Sequence, residues 1–276
     1  MAFDARTAGD EEAGKIDDFG LWLRRRSRTA AGQRLGDALR AQYGGKIRAI
    51  LAVSAHWVTR GSAVTAMEKP RTIHDFGGFP QALFDAQYPA PGSPEVAAEI
   101  RALLGEAEVA ADLGWGLDHG TWSVLCHLFP DADIPVVQLS LNADLNAHEH
   151  FALGRKLAAL REQGILIVGS GNIVHNLRLM DWRHPDTTEG AYDWAQTARK
   201  LVNHWLQSGN NAALTNDNAY PEELRLAAPT PEHWWPLLYV IGAKSDDEAL
   251  TLLTDEIVGK SLSMTSVLVG DERLAA

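Results

Sequence analysis

Three short runs of nearly unbroken apolar residues constrain this chain more than any other feature: Ile50-Leu51-Ala52-Val53, Ile134-Pro135-Val136-Val137-Gln138-Leu139 and Ile165-Leu166-Ile167-Val168. A strand that is apolar on both sides is covered on both faces, which is the condition of strands inside a parallel sheet. The last two runs adjoin helical patterns. Ser93-Pro94 offers an N-cap followed by proline at the first helical position, ahead of Val96, Ile100, Leu103 and Leu104. Residues 147–163 place Phe151, Leu153, Leu157 and Leu160 at helical spacing, with Gly164 as the C-cap. Residues 192–207 put Ala195, Ala198, Leu201, Val202 and Trp205 on one apolar face, with Gly209 just beyond. Strands alternating with helices predict an α/β fold: a single domain with a central, mainly parallel or mixed sheet flanked by helices. A final strand near 262–269 is expected to close the sheet.

The 276 residues are 46% hydrophobic and 22% charged, which is ordinary for a globular chain long enough to bury a large core. Residues 1–30 lack periodicity: an acidic, small-residue stretch runs into Arg24, Arg25, Arg26 and Arg28. They are expected to form an atypical, flexible leader to a single domain over 31–276. A formal net charge of −11 with no long basic run disfavours nucleic acid and anionic membrane surfaces as partners. No apolar stretch approaches the roughly 18 to 20 residues of a membrane-spanning helix; residues 50–55 and 237–243 are strand- or core-sized. Asp4, Asp10, Glu11, Glu12, Asp17 and Asp18 do not suit a secretory signal. Cys126, the single cysteine, excludes an intrachain disulfide and any multi-cysteine metal cluster, and the expected setting is reducing and cytoplasmic.

Histidines fall where α/β sheets build their sites, beyond the carboxyl ends of strands. His56 follows the first apolar run in Ser54-Ala55-His56-Trp57, with Trp57 as a candidate wall. His175 follows the third run through Gly169-Ser170-Gly171-Asn172, where glycine permits a sharp turn. In Thr230-Pro231-Glu232-His233, Thr230 is placed to cap a helix whose first turn carries His233, and Pro236 makes that helix short or kinked. His119 and His74 lie in glycine- and aromatic-rich loops that either line a pocket or simply pack. His127, His148, His150, His184 and His204 read as ordinary packing or surface residues. Imidazoles from separate loops, without cysteines, suit a borderline divalent ion such as Fe(II) or Zn(II). Neither an H-E-x-x-H pair nor a G-x-S-x-G elbow is present, which argues against a zincin peptidase or a serine hydrolase.

Taken in order, Ser54-Ala55-His56-Trp57, residues 72–80, Tyr88-Pro89-Ala90-Pro91-Gly92, Gly116-Leu117-Asp118-His119-Gly120, Gly171-Asn172-Ile173-Val174-His175-Asn176, Thr230-Pro231-Glu232-His233 and Ser261-Leu262-Ser263-Met264 resemble the successive signatures of the 4,5-DOPA extradiol dioxygenases, within the LigB-like class III extradiol ring-cleavage superfamily. The resemblance runs from about 47 to 270. It implies a non-haem Fe(II) enzyme, often found with zinc, that cleaves a catechol beside its hydroxyls and inserts both atoms of O2. By the same resemblance His56 and His233 are metal ligands, His175 is a further ligand or an acid/base beside the metal, His119 is a substrate-contacting proton carrier, and His74 and Trp57 are pocket residues. The partners implied are a small catechol and O2, acting on a monomer or homodimer.

One signature is missing. The family normally begins with a Gly-His-Gly-x-Pro turn whose histidine is a metal ligand, and the equivalent stretch here reads Gly20-Leu21-Trp22-Leu23-Arg24-Arg25-Arg26. His175, or an acidic residue such as Asp17 or Asp18, is left to compensate. A member that binds a metal or aromatic ligand without turnover is the alternative reading, and a zinc-dependent hydrolase is a more distant third.

Overall fold

The computed structural model describes residues 27–275. Asp17 and Asp18, and all of the leader before Ser27, lie outside the described residues; from Ser27 the chain is already helical, in α1 (Ser27–Tyr43). Five strands form the central sheet: β1 (Ala49–Thr59), β2 (Ser62–Thr65), β3 (Val109–Asp112), β4 (Val136–Asn142) and β5 (Ile165–Ser170). Their order is β3-β2-β4-β1-β5. β1 pairs in parallel with β4 and β5, and β2 with β3, while β2 meets β4 antiparallel, so the sheet is mixed.

The apolar run in β1 has a direct cause. Ala49, Leu51 and Val53 face a core that includes Val137, Leu139, Leu157, Leu160, Leu238 and Tyr239. Ile50 and Ala52 face a second core with Leu39, Tyr88, Leu117, Trp122, Leu125 and Phe129. Alternate side chains point to opposite faces, and here both faces are covered. Full burial of each large aliphatic side chain contributes about 1.5–3 kcal/mol, so this strand anchors both layers.

The helices after α1 are α2 (Gln81–Phe84), α3 (Pro94–Leu104), α4 (His119–Leu128), α5 (Ala147–Arg161), α6 (Asp193–Gln207), α7 (Asn211–Thr215), α8 (Glu222–Ala227) and α9 (Trp235–Gly242). Ser93 caps α3 as expected, its Oγ accepting the Val96 N–H at 3.2 Å. Asn146 and Glu149 close a reciprocal capping box on α5. Gly164, at φ +78°, turns the chain from α5 into β5. Residues 237–243, strand- or core-sized in the sequence, lie almost wholly in α9, and no helix among the described residues is long and apolar enough to cross a membrane.

Two expectations are corrected. The stretch 262–269 does not close the central sheet. It splits into β8 (Leu262–Ser263), which pairs with β7 (Ile257–Val258), and β9 (Ser266–Gly270), which pairs with β6 (Ala249–Thr254). The break falls where the Met264 N–H leaves the ladder for the Glu256 carbonyl, 2.7 Å away. Thr230 does not cap a helix either. Its hydroxyl donates to Glu232 Oε1 at 2.7 Å, and the expected short helix is a single 3-10 turn, Pro231–His233, followed by α9 with Pro236 in its first turn.

Candidate metal centre

β1 and β5 run in parallel register until Ser54 lies opposite Ser170. Two residues further on β1 stands His56, and β5 leads through Gly171 into the loop bearing His175. That loop is tied down on several sides. The Asn172 N–H donates to the His233 carbonyl at 2.8 Å and the His175 N–H to the Ala227 carbonyl at 2.7 Å. Asn172 Nδ2 reaches the Ser263 carbonyl at 2.7 Å, and the Ser261 hydroxyl donates to the Asn176 carbonyl at 2.9 Å. His175 also bridges Leu262. The short hairpin of β7 and β8 therefore buttresses the site instead of extending the sheet.

Four imidazoles meet as a result. The rings of His175 and His233 stack with centroids 3.4 Å apart and planes within 10°. His233 meets His56 edge-on at 5.2 Å, and His56 lies 3.9 Å from His119. His119 is the first residue of α4, held there by Asp118, whose buried carboxylate accepts the Thr121 N–H at 3.0 Å and a hydrogen bond from Gln138 Nε2. Burial raises the Asp118 pKa above its ordinary value against these hydrogen bonds. Asp75, on the loop before α2, completes the cluster: its Oδ2 is 3.0 Å from His119 Nδ1 and 3.5 Å from His56 Nδ1. Ligand atoms of His56, Asp75 and His119 all lie within 4.8 Å of one another. Among the described residues, the four histidines and Asp75 line one part of an open cavity of about 1830 Å³ that also reaches Tyr43, Arg161 and Leu274, and Phe76, Phe79 and Trp122 border it beside the histidines.

The site holds His56, His175 and His233 neutral. Burial, reinforced by the neighbouring imidazoles, lowers the pKa of His56 to about 3 and places that of His233 well below the usual value. Burial likewise lowers His175 to about 4. Desolvation raises the Asp75 carboxyl, but hydrogen bonds and charge from His119, with His56 beyond, leave it below its ordinary value and ionised. Neutral imidazoles and a carboxylate are the ligating forms of these groups. Nδ1 of the buried His233 has no hydrogen-bond partner among the described residues. A buried polar nitrogen without a partner is costly, and a cation at this cluster would satisfy it. The donor set thus fits a divalent metal ion.

These depressed values set a pH dependence for the metal-free protein. The unfolded chain binds protons on these histidines near pH 6.5, whereas the folded chain resists them down to about pH 4 for His175 and about pH 3 for His56. Stability is complete above about pH 6.5 and is lost as pH falls toward 4, because the unfolded state takes up the protons. Thermal melts of the apoprotein from pH 8 to pH 4 should show a falling Tm through that window. Saturating Zn(II) should raise Tm throughout the window above about pH 5, because the folded-state ligands stay unprotonated there. A flat profile would contradict the burial of these rings.

Of the residues expected to form the site, the rings of His56, His119, His175 and His233 come together, but among the described residues the ligand atoms that gather within 4.8 Å of one another are those of His56, Asp75 and His119 and not those of the expected His56, His175 and His233. Two pocket residues require correction. Trp57 follows His56 on a strand and so faces the other way; it is buried, stacking on Trp115 at 5.6 Å, and does not border the cavity. His74 does not border the cavity either, since its Nε2 contacts the Ala86 carbonyl at 2.9 Å and its ring packs behind Phe76, Phe84 and Trp122. Asp75 was not singled out. Its only local signal is an acid beside a histidine in a glycine-rich loop.

With this geometry in place, comparison with known proteins is informative. Residues 27–269 match the family described as the catalytic LigB subunit of aromatic ring-opening dioxygenase. The chain belongs to the LigB family. Among its LigB relatives, the 4,5-DOPA dioxygenase extradiol of Escherichia coli (strain K12) is 51% identical over 227 residues, covering 81% of this chain and 82% of the relative. The 4,5-DOPA dioxygenase extradiol of Beta vulgaris is 37% identical over 224 residues, with 80% and 82% covered. A crystal structure of an uncharacterized protein from Escherichia coli K12 superimposes with a TM-score of 0.73 at 43% identity, covering 87% of this chain and 91% of that one. LigB membership makes the protein a dioxygenase by family, with a mixed sheet flanked by helices in a single domain.

Proposed function

We propose that this chain is a cytoplasmic non-haem Fe(II) enzyme that opens a catechol ring, such as that of DOPA, beside its two hydroxyls and adds both atoms of O2 to the product. The observation that carries the reading is the meeting of His56, Asp75, His119, His175 and His233 on one wall of an aromatic-lined cavity. His56 and His233 would hold the metal, with His175 or Asp75 as the further donor in place of the absent N-terminal histidine. Zn(II) fits the same donors and would compete. Bound there with open positions, a divalent ion supplies a Lewis acid and a meeting place for the two substrates.

The chain's own residues supply the rest. His119 contacts His56 and borders the cavity, so its imidazole is placed to take the second phenolic proton and return it later. His175, stacked on His233, is the other candidate acid/base. Phe76 meets the His119 ring edge-on at 5.4 Å and forms, with Phe79 and Trp122, a wall suited to a planar ring. A catechol ring laid against this wall would lie beside the histidine cluster.

The test is anaerobic loading with Fe(II) followed by DOPA, caffeate and protocatechuate, reading O2 uptake and a yellow ring-opened semialdehyde. Product from at least one catechol with matching O2 consumption is expected; none from any catechol rejects the reading. Tight catechol binding without O2 uptake would instead establish a ligand-binding protein, the outcome favoured by the missing first histidine. Sedimentation would decide between monomer and homodimer.

A further inference from the structure

Just past His175 the chain makes a short 3-10 turn, Leu177–Leu179, and then a loop that carries Trp182. Large apolar side chains stand in solvent along this stretch: Leu177 is 41% exposed, Leu179 39% and Trp182 52%. Leu177 and Trp182 border the cavity that holds the histidines, whereas Leu179 does not. A 3-10 turn has about three residues per turn, so side chains two apart point in different directions. Leu177 is two residues beyond His175, which keeps the two Cα atoms within about 7 Å of each other. Leu262, which bridges to His175, borders the cavity as well, so an apolar lining accompanies the histidines toward this loop.

The loop is a fixed platform. Met180 is buried with Val258 and Leu262 in a small apolar cluster, and the Asp181 N–H donates to the Gly259 carbonyl at 2.9 Å. The Asp181 carboxylate meets Lys260 Nζ at 2.8 Å. The indole N–H of Trp182 donates to the Leu177 carbonyl at 3.2 Å. That bond uses the ring's one polar group inside the loop and leaves only its apolar surface for a ligand. The charged side chains of this stretch, Arg178, Asp181 and Arg183, do not border the cavity.

We propose that Leu177 and Trp182 form an outer apolar subsite that takes an uncharged aromatic or alkyl substituent of the ring-cleavage substrate. The inference rests on the proposed ring-opening function and narrows its substrate class to catechols with an apolar extension. An indole already held in place loses little freedom when a ligand settles on it, and stacking removes apolar area of both partners from water. A zwitterionic side chain such as that of DOPA would shed water against Leu177 and Trp182, and this loop offers it no charged partner in return.

Anaerobic calorimetry on Fe(II)-loaded protein reads binding without turnover, with 4-methylcatechol and 4-(2-phenylethyl)catechol as the probes. The parent should bind the phenylethyl compound at least about tenfold more tightly, the gain expected from burying an aromatic group against an indole. Trp182→Ala and Leu177→Ser should each raise its Kd by about 5–10-fold and leave that of 4-methylcatechol within about twofold. Leu179→Ser, on the same turn and similarly exposed but off the cavity, should change neither value. Equal affinity of the parent for the two catechols, or an unchanged preference in Trp182→Ala, overturns the proposal. So does a dimer that Leu179→Ser and Trp182→Ala both dissolve with the preference intact, which would make the patch an interface between copies. Fluorine resonances of protein labelled with 5-fluorotryptophan, assigned by Trp182→Phe, read the subsite apart from the function. Titration with 2-phenylethanol, which has no catechol, should shift the Trp182 resonance, and Leu177→Ser should weaken that response. If the parent neither binds nor opens a catechol, the functional reading fails, while a motionless Trp182 resonance overturns the subsite.

Discussion

A His233→Ala protein should lose bound metal and ring opening together. His233 lies between His175 and His56, stacked on the first at 3.4 Å and edge-on to the second at 5.2 Å, and its buried Nδ1 has no hydrogen-bond partner among the described residues. Alanine removes the donor at the centre of the cluster and leaves His56 and His175 without a bridging ligand. Metal analysis after Fe(II) loading should drop from equimolar to near zero, and kcat/KM should fall by at least about 10³-fold, which corresponds to roughly 4 kcal/mol of lost transition-state stabilisation. The fold should survive, because the backbone of His233, not its ring, accepts the Asn172 hydrogen bond. His74→Ala is the matched comparison: its ring packs behind the aromatic wall and should be dispensable for metal retention. Equimolar metal and more than a tenth of the parent activity in His233→Ala would remove His233 from the ligand set.

Gly171→Ala should be nearly as damaging, through the backbone. A Cβ at position 171 would lie 2.3 Å from the His233 carbonyl oxygen and 3.1 Å from its carbon. Neither atom yields easily, since that oxygen accepts the Asn172 N–H at 2.8 Å. Relief requires the loop after β5 and the turn bearing His233 to separate, which displaces His233 and His175 relative to each other. Overpacking of this kind costs about 1–3 kcal/mol, and a shift of about 1 Å in a catalytic group lowers rate by roughly 10²-fold. Differential scanning should show a Tm lower by about 2–12 °C for a chain of this size, with activity reduced further than stability. Gly77→Ala, where a Cβ meets nothing within 4 Å, should match the parent in Tm. Parent-like activity in Gly171→Ala would show that the two loops are not rigidly coupled.

The strands covered on both faces were legible because burial on two sides favours apolar residues, as β1 and β4 illustrate; β5 carries a similar apolar run although it ends the strand order and is only partly buried. β2 and β3 were not. Each has four residues, and Ser62-Ala63-Val64-Thr65 and Val109-Ala110-Ala111-Asp112 carry too little pattern to stand out. The segment 262–269 read as one strand because Leu262, Met264, Val267 and Val269 suggest continuity, while the change of partner at Met264 is a tertiary event. At the site, His56, His175 and His233 each end or follow a recognisable element, so their convergence followed from sheet topology. Asp75 was invisible for the opposite reason: its role depends on contacts with His56 and His119, residues remote in the chain, and an acid in a polar loop reads as a solvated surface group.

The in-register pairing of β1 with β5, together with the carbonyl and amide contacts that pin the loop after β5, joins groups of the chain itself. The spacing of the imidazoles is therefore written into the polypeptide backbone and not into the identity of the rings alone. Grafting four histidines onto a scaffold that lacks these amide and carbonyl anchors should fail to recreate the cluster.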